Sequence, residues 1–238
     1  MIGLIQRVAR AQVSTGGRTL GAIGPGTLAL IGVRRGDDRA AADRLLERLL
    51  TYRIFPDAAG RMNLALREAG GGLLLVPQFT LAADTRKGTR AGFSTAAAPE
   101  VARAQVSTGG RTLGAIGPGT LALIGVQRGD DRAAADRLLE RLLTYRIFPD
   151  AAGRMNVALR AAGGGLLLVP QFTLAADTRK GTRAGFSAAA APEEACELYA
   201  YLVRKAEARH TPVASGAFGT DMQVELVNDG PVTFWLQS

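Results

Sequence analysis

The sequence predicts a β-rich α+β fold with two main helices, and three features of the chain indicate it. The longest apolar runs, such as Leu28–Val33 and Leu73–Val76, have the length of strands rather than of membrane spans. Glycine is abundant, with 30 residues in 238, which indicates many turns and close backbone approaches. The two main helix signals follow Asp38 and begin at Pro192, and Pro99-Glu100 resembles a further helix start at the junction of the copies.

The first half of the chain contains the signals of a hairpin, a buried strand and a helix. Gly16-Gly17 separates two short alternating runs, and Gly24-Pro25-Gly26 forms the next turn. Asp37 or Asp38 is the expected N-cap of a helix that runs to about Tyr52, with a stripe of leucines on one face. The predicted strands are Arg10–Ser14, Thr19–Ile23, Thr27–Val33 and Leu73–Val76.

The end of the chain predicts one helix and two strands. Pro192 fits the first turn of a helix, and the acidic residues that follow it favour the helix dipole, so we expect a helix to about Arg209. Two further strands, Met222–Val227 and Val232–Leu236, are expected on either side of a turn at Asn228-Asp229-Gly230-Pro231.

An internal repeat dominates the sequence. Val8–Glu100 recurs as Val101–Glu193, at an offset of 93 residues. Without one copy the chain would have 145 residues, a usual size for one domain. Solenoids need at least three repeats, so a solenoid is not expected. The copies differ at four pairs of positions: Arg34/Gln127, Leu64/Val157, Glu68/Ala161 and Thr95/Ala188.

We therefore expect two unequal domains. Residues 1–100 would form an incomplete first copy, which has the head strand before Val8 but no C-terminal tail. Residues 101–238 would form a second copy, which has the tail but no first strand. The head strand would either cross over to copy two or stay in copy one, which would then pack as a defective partner of copy two.

Composition limits the possible functions. The formal charge of +8 is partly duplicated, since one head, one copy and one tail would carry only +3, which is consistent with RNA binding without being diagnostic of it. The single Cys196 excludes an internal disulfide, and with the single His210 it excludes a Cys/His zinc site within one chain. No targeting segment is recognised, so we expect a cytoplasmic protein without a membrane partner, metal or cofactor.

Generic catalytic motifs are not supported. Gly24-x-Gly26 precedes a strand rather than a helix, which favours a hairpin turn over a dinucleotide loop. A Ser/His/Asp triad would depend on His210, which we interpret as a solvated residue at a helix C-terminus.

Two other segments carry a specific signal. Pro170-Gln171-Phe172-Thr173-Leu174 follows a buried strand, and the tail contains Asn228-Asp229-Gly230-Pro231-Val232-Thr233. Together with Ile5-Gln6-Arg7-Val8 and Tyr52-Arg53-Ile54-Phe55, they resemble the D-aminoacyl-tRNA deacylases, whose motifs are Ser-Gln-Phe-Thr-Leu and Asn-x-Gly-Pro-x-Thr. The resemblance covers the whole chain once the duplication is allowed for. It implies a deacylase-type domain of mixed sheets, plus a duplicated incomplete copy.

The resemblance also implies a function, namely hydrolysis of the ester bond of D-aminoacyl-tRNA and of mischarged glycyl-tRNA. Backbone N–H groups near the motif would bind the carbonyl oxygen, the 2′-hydroxyl of the terminal adenosine would assist, and Thr173 would be an alternative nucleophile. The catalytic residues implied in the two copies are Gln171, Phe172, Thr173, Gln78, Phe79 and Thr80.

Rejection of L-amino acids would fall to a cis peptide bond between Gly230 and Pro231, with Asn228 and Thr233 in support. In the family this motif enters the partner protomer, so we expect a homodimer or an intrachain pseudo-dimer. In the latter, Gly230-Pro231 would face the residues of copy one.

The expected partner is the aminoacylated end of tRNA, not DNA. Candidate contacts are Arg7, Arg179, Lys180 and Arg183. Two departures from the family pattern are Pro77 and Pro170 in place of Ser, and Ala184-Gly185 where Pro-Ser is frequent. The alternative to an active enzyme is an inactive, RNA-binding remnant disabled by the duplication.

Overall fold

The structure is a computed structural model that describes residues 1–85, 89, 103–179, 181–230 and 232–237. The chain divides into two compact units. Unit 1 comprises Met1–Ala82 with Asp177–Gly185, and unit 2 comprises Ala83–Ala176 with Phe186–Ser238. Strands predominate and helices are few, which confirms the predicted α+β class.

Unit 1 contains the head and most of copy one. Its helices are α1 (Arg39–Thr51) and the single turn α2 (Leu66–Ala69), and a 3-10 turn covers Phe79–Ala82. Its strands are β1 (Ile2–Val8), β2 (Ala11–Thr15), β3 (Arg18–Ile23), β4 (Gly26–Gly32), β5 (Arg53–Pro56), β6 (Met62–Ala65) and β7 (Gly72–Pro77).

The central sheet of unit 1 has the order β1-β4-β7 and is mixed. β1 pairs antiparallel with β4 from Ile2↔Gly32 to Val8↔Gly26, and β4 pairs parallel with β7. The head strand therefore stays with copy one. A Cβ atom on Gly26 would overlap the backbone of Gly72, so the start of the β4–β7 pair requires glycine.

Local signals in copy one behave as the sequence predicts. Gly16 and Gly17 have φ values of 54° and 75°, the left-handed conformation that a tight hairpin turn needs. Asp38 caps α1 by accepting a hydrogen bond from the amide of Ala41 at 2.7 Å. Asp37 instead binds the amino group of Met1 at 2.6 Å, and this hydrogen bond lowers the pKa of the Asp37 carboxyl.

Unit 2 contains most of copy two and the tail. Its helices are α3 (Arg132–Thr144), the single turn α4 (Leu159–Ala162) and α5 (Pro192–Arg209), and a 3-10 turn covers Phe172–Ala175. Its strands are β8 (Ala104–Thr108), β9 (Arg111–Ile116), β10 (Gly119–Ile124), β11 (Arg146–Pro149), β12 (Met155–Ala158), β13 (Gly165–Pro170), β14 (Val213–Ser215) and β15 (Gln223–Leu226).

The tail completes both main sheets of unit 2. β14 pairs parallel with β13 to give the order β10-β13-β14, and β15 pairs antiparallel with β8 to give β15-β8-β9. The helix α5 has the bounds that the sequence predicts, with Pro192 in its first turn. It packs on α3, so that Leu139 and Leu143 of α3 share a buried core with Leu202 of α5.

The absence of such a tail from unit 1 changes the environment of identical residues. Leu139 is fully buried, whereas its copy-one equivalent Leu46 is 43% exposed. Leu168 of β13 is fully buried, whereas Leu75 of β7 is 50% exposed. The same sequence therefore contributes a core in unit 2 and an apolar surface in unit 1.

Each unit also includes a short segment of the other copy. In unit 1, the amide of Arg53 donates to the carbonyl of Thr182 at 2.8 Å, and Arg48 donates to the carbonyl of Thr178. In unit 2, the equivalent bonds run from the Arg146 amide to the carbonyl of Thr89, also at 2.8 Å, and from Arg141 to the carbonyl of Thr85. The compact units thus do not coincide with the two copies, whose expected boundary at residues 100 and 101 lies outside the described residues.

One predicted strand is wrong. Val232–Leu236 contains no strand, although the described residues 232–237 include all of it. The amide of Val232 donates instead to the side chain of Asn228 at 3.1 Å. The segment therefore begins in a loop that this side chain closes, and its first amide does not bond to a neighbouring strand. Within the described residues, no helix combines the length and the apolar character needed to cross a membrane.

The paired leucines allow a matched test of the core. Replacing Leu139 with Ala removes buried atoms and should lower the free energy of unfolding by about 2–5 kcal/mol. Replacing Leu46 with Ala, in the same local sequence, should change it by no more than about 0.5 kcal/mol because that side chain is largely exposed. Urea unfolding followed by circular dichroism compares the two variants. Equal losses of stability would contradict the assignment of different environments.

Candidate functional site

The Gln-Phe-Thr motif lies at the carboxyl end of a buried strand in both copies. In copy two, β13 ends at Pro170, and the chain turns at once into the 3-10 turn that begins at Phe172. Proline has no N–H for a further ladder bond, which is consistent with the strand ending there. The amide of Gln171 donates to the carbonyl of Ile124 at 2.7 Å and fixes this turn to the end of β10.

The motif's polar side chains form the same pair in each copy. The Nε2 atom of Gln171 lies 2.5 Å from the Oγ1 atom of Thr173, and Gln78 and Thr80 are paired at the same distance. Their environments differ. Gln78 and Thr80 are buried, whereas Gln171 and Thr173 are partly exposed. Copy two therefore presents its polar pair to solvent more openly than copy one does.

Two backbone N–H groups, those of Phe172 and Thr173, lie beside the Gln171–Thr173 pair and are open, meaning that no acceptor is found for them within the described residues. The first N–H groups of a helical turn have no acceptor within the turn. Leu174 donates its amide to the carbonyl of Gln171, but within the described residues no acceptor is found for the amides of Phe172 and Thr173. The ring of Phe172 is 56% exposed and lies 5.2 Å from the ring of Phe186. A ligand oxygen could thus be bound by backbone donors next to an exposed aromatic ring.

A second candidate element is the loop at Asn228–Thr233. The Asn228 side chain accepts from the amide of Val232 at 3.1 Å and donates to the hydroxyl of Thr233 at 3.0 Å. Gly230 has a φ of 132°, and a Cβ atom there would lie 2.9 Å from the nitrogen of Val232, so this position requires glycine. Pro231, and with it the expected cis bond, lies outside the described residues.

Both ends of this loop are attached to unit 2. On the N-terminal side, β15 pairs with β8, and the amide of Val227 donates to the carbonyl of Arg103 at 3.0 Å. On the C-terminal side, the ring of Phe234 meets the buried ring of Tyr145 edge to face at 5.5 Å. Burial raises the pKa of the Tyr145 hydroxyl.

A network around Arg141 holds the last residues of the tail. Arg141 donates to the carbonyl of Gln237 and to the carbonyl of Thr85, and its guanidinium lies 6.0 Å from the centre of the Tyr145 ring. The Thr85 hydroxyl donates to the carbonyl of Trp235 at 2.7 Å. Sequence reasoning missed Arg141 and Tyr145, because copy one has the same residues at Arg48 and Tyr52 and only the tail distinguishes them.

Three of the four candidate tRNA contacts already have partners within unit 1. Arg7 donates to the carbonyl of Ile54 at 3.0 Å, and Arg183 donates to the side chain of Asn63. Arg179 forms a two-pronged ion pair with Asp177 at 2.8–2.9 Å. Lys180 lies outside the described residues.

Among the residues that the structure describes, the hydrogen-bond partner found for the His210 ring is a backbone carbonyl rather than a Ser or Asp side chain. The interpretation of this residue as a solvated histidine is wrong, because its ring is half-buried and its Nε2 lies 2.7 Å from the carbonyl of Gly164. Within the described part of the chain, no group of three or more His, Cys, Asp or Glu residues is arranged to hold a metal ion.

Comparison with known proteins finds the same family twice along the chain. The family model described as D-Tyr-tRNA(Tyr) deacylase matches residues 4–104 and again residues 100–237. A protein of Thioalkalivibrio sulfidiphilus named D-aminoacyl-tRNA deacylase is 65% identical over 137 residues, which cover 58% of this chain and 92% of the relative. A protein of the same name from Pseudomonas savastanoi pv. phaseolicola is 60% identical over 134 residues, or 56% of this chain and 92% of the relative.

A solved structure also matches the fold of this chain. The structure titled c-Myc DNA Unwinding Element Binding Protein superposes with a TM-score of 0.56 at 32% sequence identity. The match covers 59% of this chain and 95% of that one. Nearly complete relatives thus correspond to little more than half of this chain, in agreement with the duplication.

Proposed function

Because the chain belongs to the D-Tyr-tRNA(Tyr) deacylase family, we propose that it hydrolyses D-aminoacyl-tRNA to free D-amino acid and tRNA. The observation that carries the proposal is the pair of open backbone amides at Phe172 and Thr173, beside the Gln171–Thr173 pair. Esters are cleaved through a tetrahedral intermediate whose carbonyl oxygen becomes negative, and backbone N–H groups stabilise such an oxygen without any acid or base.

In the proposed reaction, water adds to the carbonyl carbon of the aminoacyl ester. The amides of Phe172 and Thr173 bind the developing oxyanion, and the bond to the 3′-oxygen of the terminal adenosine then breaks. That oxygen takes up a proton and leaves as the tRNA hydroxyl, with the neighbouring 2′-hydroxyl assisting. Thr173 has a glutamine rather than a base as its hydrogen-bond partner, which supports a structural role over a nucleophilic one.

We propose that the Gly230-Pro231 loop provides the selectivity for D-amino acids. Asn228 closes the loop with two hydrogen bonds, which restrict its backbone in the way that a steric wall requires. Glycyl-tRNA would also be hydrolysed, since glycine has no Cβ atom to be excluded. The proposed assembly is a homodimer or an intrachain pseudo-dimer, acting in the cytoplasm on aminoacylated tRNA.

The proposed reaction predicts stereospecific release of amino acid. The purified chain should release Tyr from D-Tyr-tRNA and leave L-Tyr-tRNA intact, because only the L side chain would meet the loop. Radiolabelled Tyr on the same tRNA measures both reactions, and spontaneous hydrolysis without protein is the control. Equal hydrolysis of both enantiomers would refute the selectivity. Binding of tRNA without any release would favour the inactive remnant.

Replacement of the motif threonines tests how the chemistry is done. Thr173→Ala should keep measurable activity and lose no more than about ten-fold, the cost of one hydrogen bond to Gln171. Thr80→Ala is prepared in parallel, because the same motif occurs twice in the chain. Single-turnover release of D-Tyr gives the rates. Complete loss of turnover in Thr173→Ala, with unchanged folding and tRNA binding, would identify a threonine nucleophile instead.

A further inference from the structure

The C-terminal end of the tail that follows Thr233 is held by a network centred on the guanidinium of Arg141. Arg141 lies in α3, and its two terminal nitrogens donate to different segments, one to the carbonyl of Gln237 and the other to the carbonyl of Thr85. A planar guanidinium suits this role because its donors point in fixed directions. Arg141 thus joins the helix, the tail and the residue at position 85.

The network around Arg141 contacts Gln237, Trp235 and Phe234, in the segment that directly follows the loop. The Thr85 hydroxyl holds the carbonyl of Trp235, and Tyr145 holds the ring of Phe234. Phe234 directly follows Thr233, which is the last residue of the loop closed by Asn228. Since β15 already fixes the N-terminal side of the loop, release of residues 234–237 would free one of its two ends.

We propose that Arg141 is a positioning residue for discrimination between D- and L-aminoacyl-tRNA. It touches no reacting atom. It keeps the tail in place, so that the loop closed by Asn228 holds one position and excludes the L side chain. This inference rests on the proposed function, which it deepens by naming a residue outside both sequence motifs.

Copy one supplies a matched control. Arg48 has the same local sequence as Arg141 and donates to the carbonyl of Thr178, the equivalent of Thr85. Copy one has no tail of its own, and Arg48 belongs to the other compact unit. Loss of the Arg48 side chain should therefore affect local packing without affecting the loop.

The experiment combines a spectroscopic and a kinetic readout on the full chain. Trp235 is the only tryptophan in the sequence and is 40% exposed, so acrylamide quenching of its fluorescence reports directly on the tail. Arg141→Ala should increase the quenching constant and lower the D/L ratio of deacylation rates by about ten-fold, the cost of losing charge-assisted hydrogen bonds. Arg48→Ala should change neither quantity. Arg141→Lys should restore the quenching constant and the D/L ratio in part. An ammonium can donate to one of the two carbonyls but lacks the separate, fixed donors of a guanidinium.

A second variant separates positioning from folding. Thr85→Val removes only the hydroxyl bond to Trp235 and should raise the quenching while the melting temperature stays the same; Thr178→Val is its control in the other copy. Unchanged quenching in Arg141→Ala, or raised quenching with an unchanged D/L ratio, would overturn the inference. A wild-type chain that does not hydrolyse D-Tyr-tRNA would overturn the proposed function and the role in discrimination together. Quenching would then still show whether Arg141 anchors the tail.

Discussion

The packing of α5 against α3 is the contact on which the rest of unit 2 depends. It buries Leu139 and Leu143 and brings the hydroxyl of Tyr199 to within 2.8 Å of the carbonyl of Leu168, in the middle of β13. β13 in turn ends at the Gln171–Thr173 turn, and β14 and β15 follow α5 along the chain. A single helix therefore supports both the strand that carries one motif and the tail that carries the other.

Local structure was predictable wherever neighbouring residues determine it. The glycine turn at Gly16-Gly17, the cap at Asp38 and the bounds of α5 all follow from residues within a few positions of one another. The apolar and β-branched residues of Val232–Leu236 favour a strand. A strand also needs a neighbouring strand to bond to, and here the amide of Val232 donates to the side chain of Asn228 instead. Pairing and exposure are properties of the whole fold, so the pattern alone could not supply them.

The candidate site was predictable as a set of motifs but not as an arrangement. The Gln-Phe-Thr motif occurs identically in both copies, yet Gln78 is buried and Gln171 is partly exposed. Arg141 and Arg48 likewise have the same local sequence. Only Arg141 lies beside the tail, where it also donates to the carbonyl of Gln237, and Thr85 donates to the carbonyl of Trp235. Identical residues thus differ in role because the chain has one C-terminal segment for two copies, and this segment belongs to unit 2.

The exchange of short segments between the copies affects how well these contacts persist when the protein is diluted. When two interacting segments belong to one polypeptide, their encounter depends on an effective concentration set by the connecting chain, on the order of millimolar for short flexible connections. The bonds of Thr182 in unit 1 and of Thr89 in unit 2 are of this intramolecular kind. Their formation is first order, so they persist at protein levels at which the same contacts between separate molecules would dissociate by mass action.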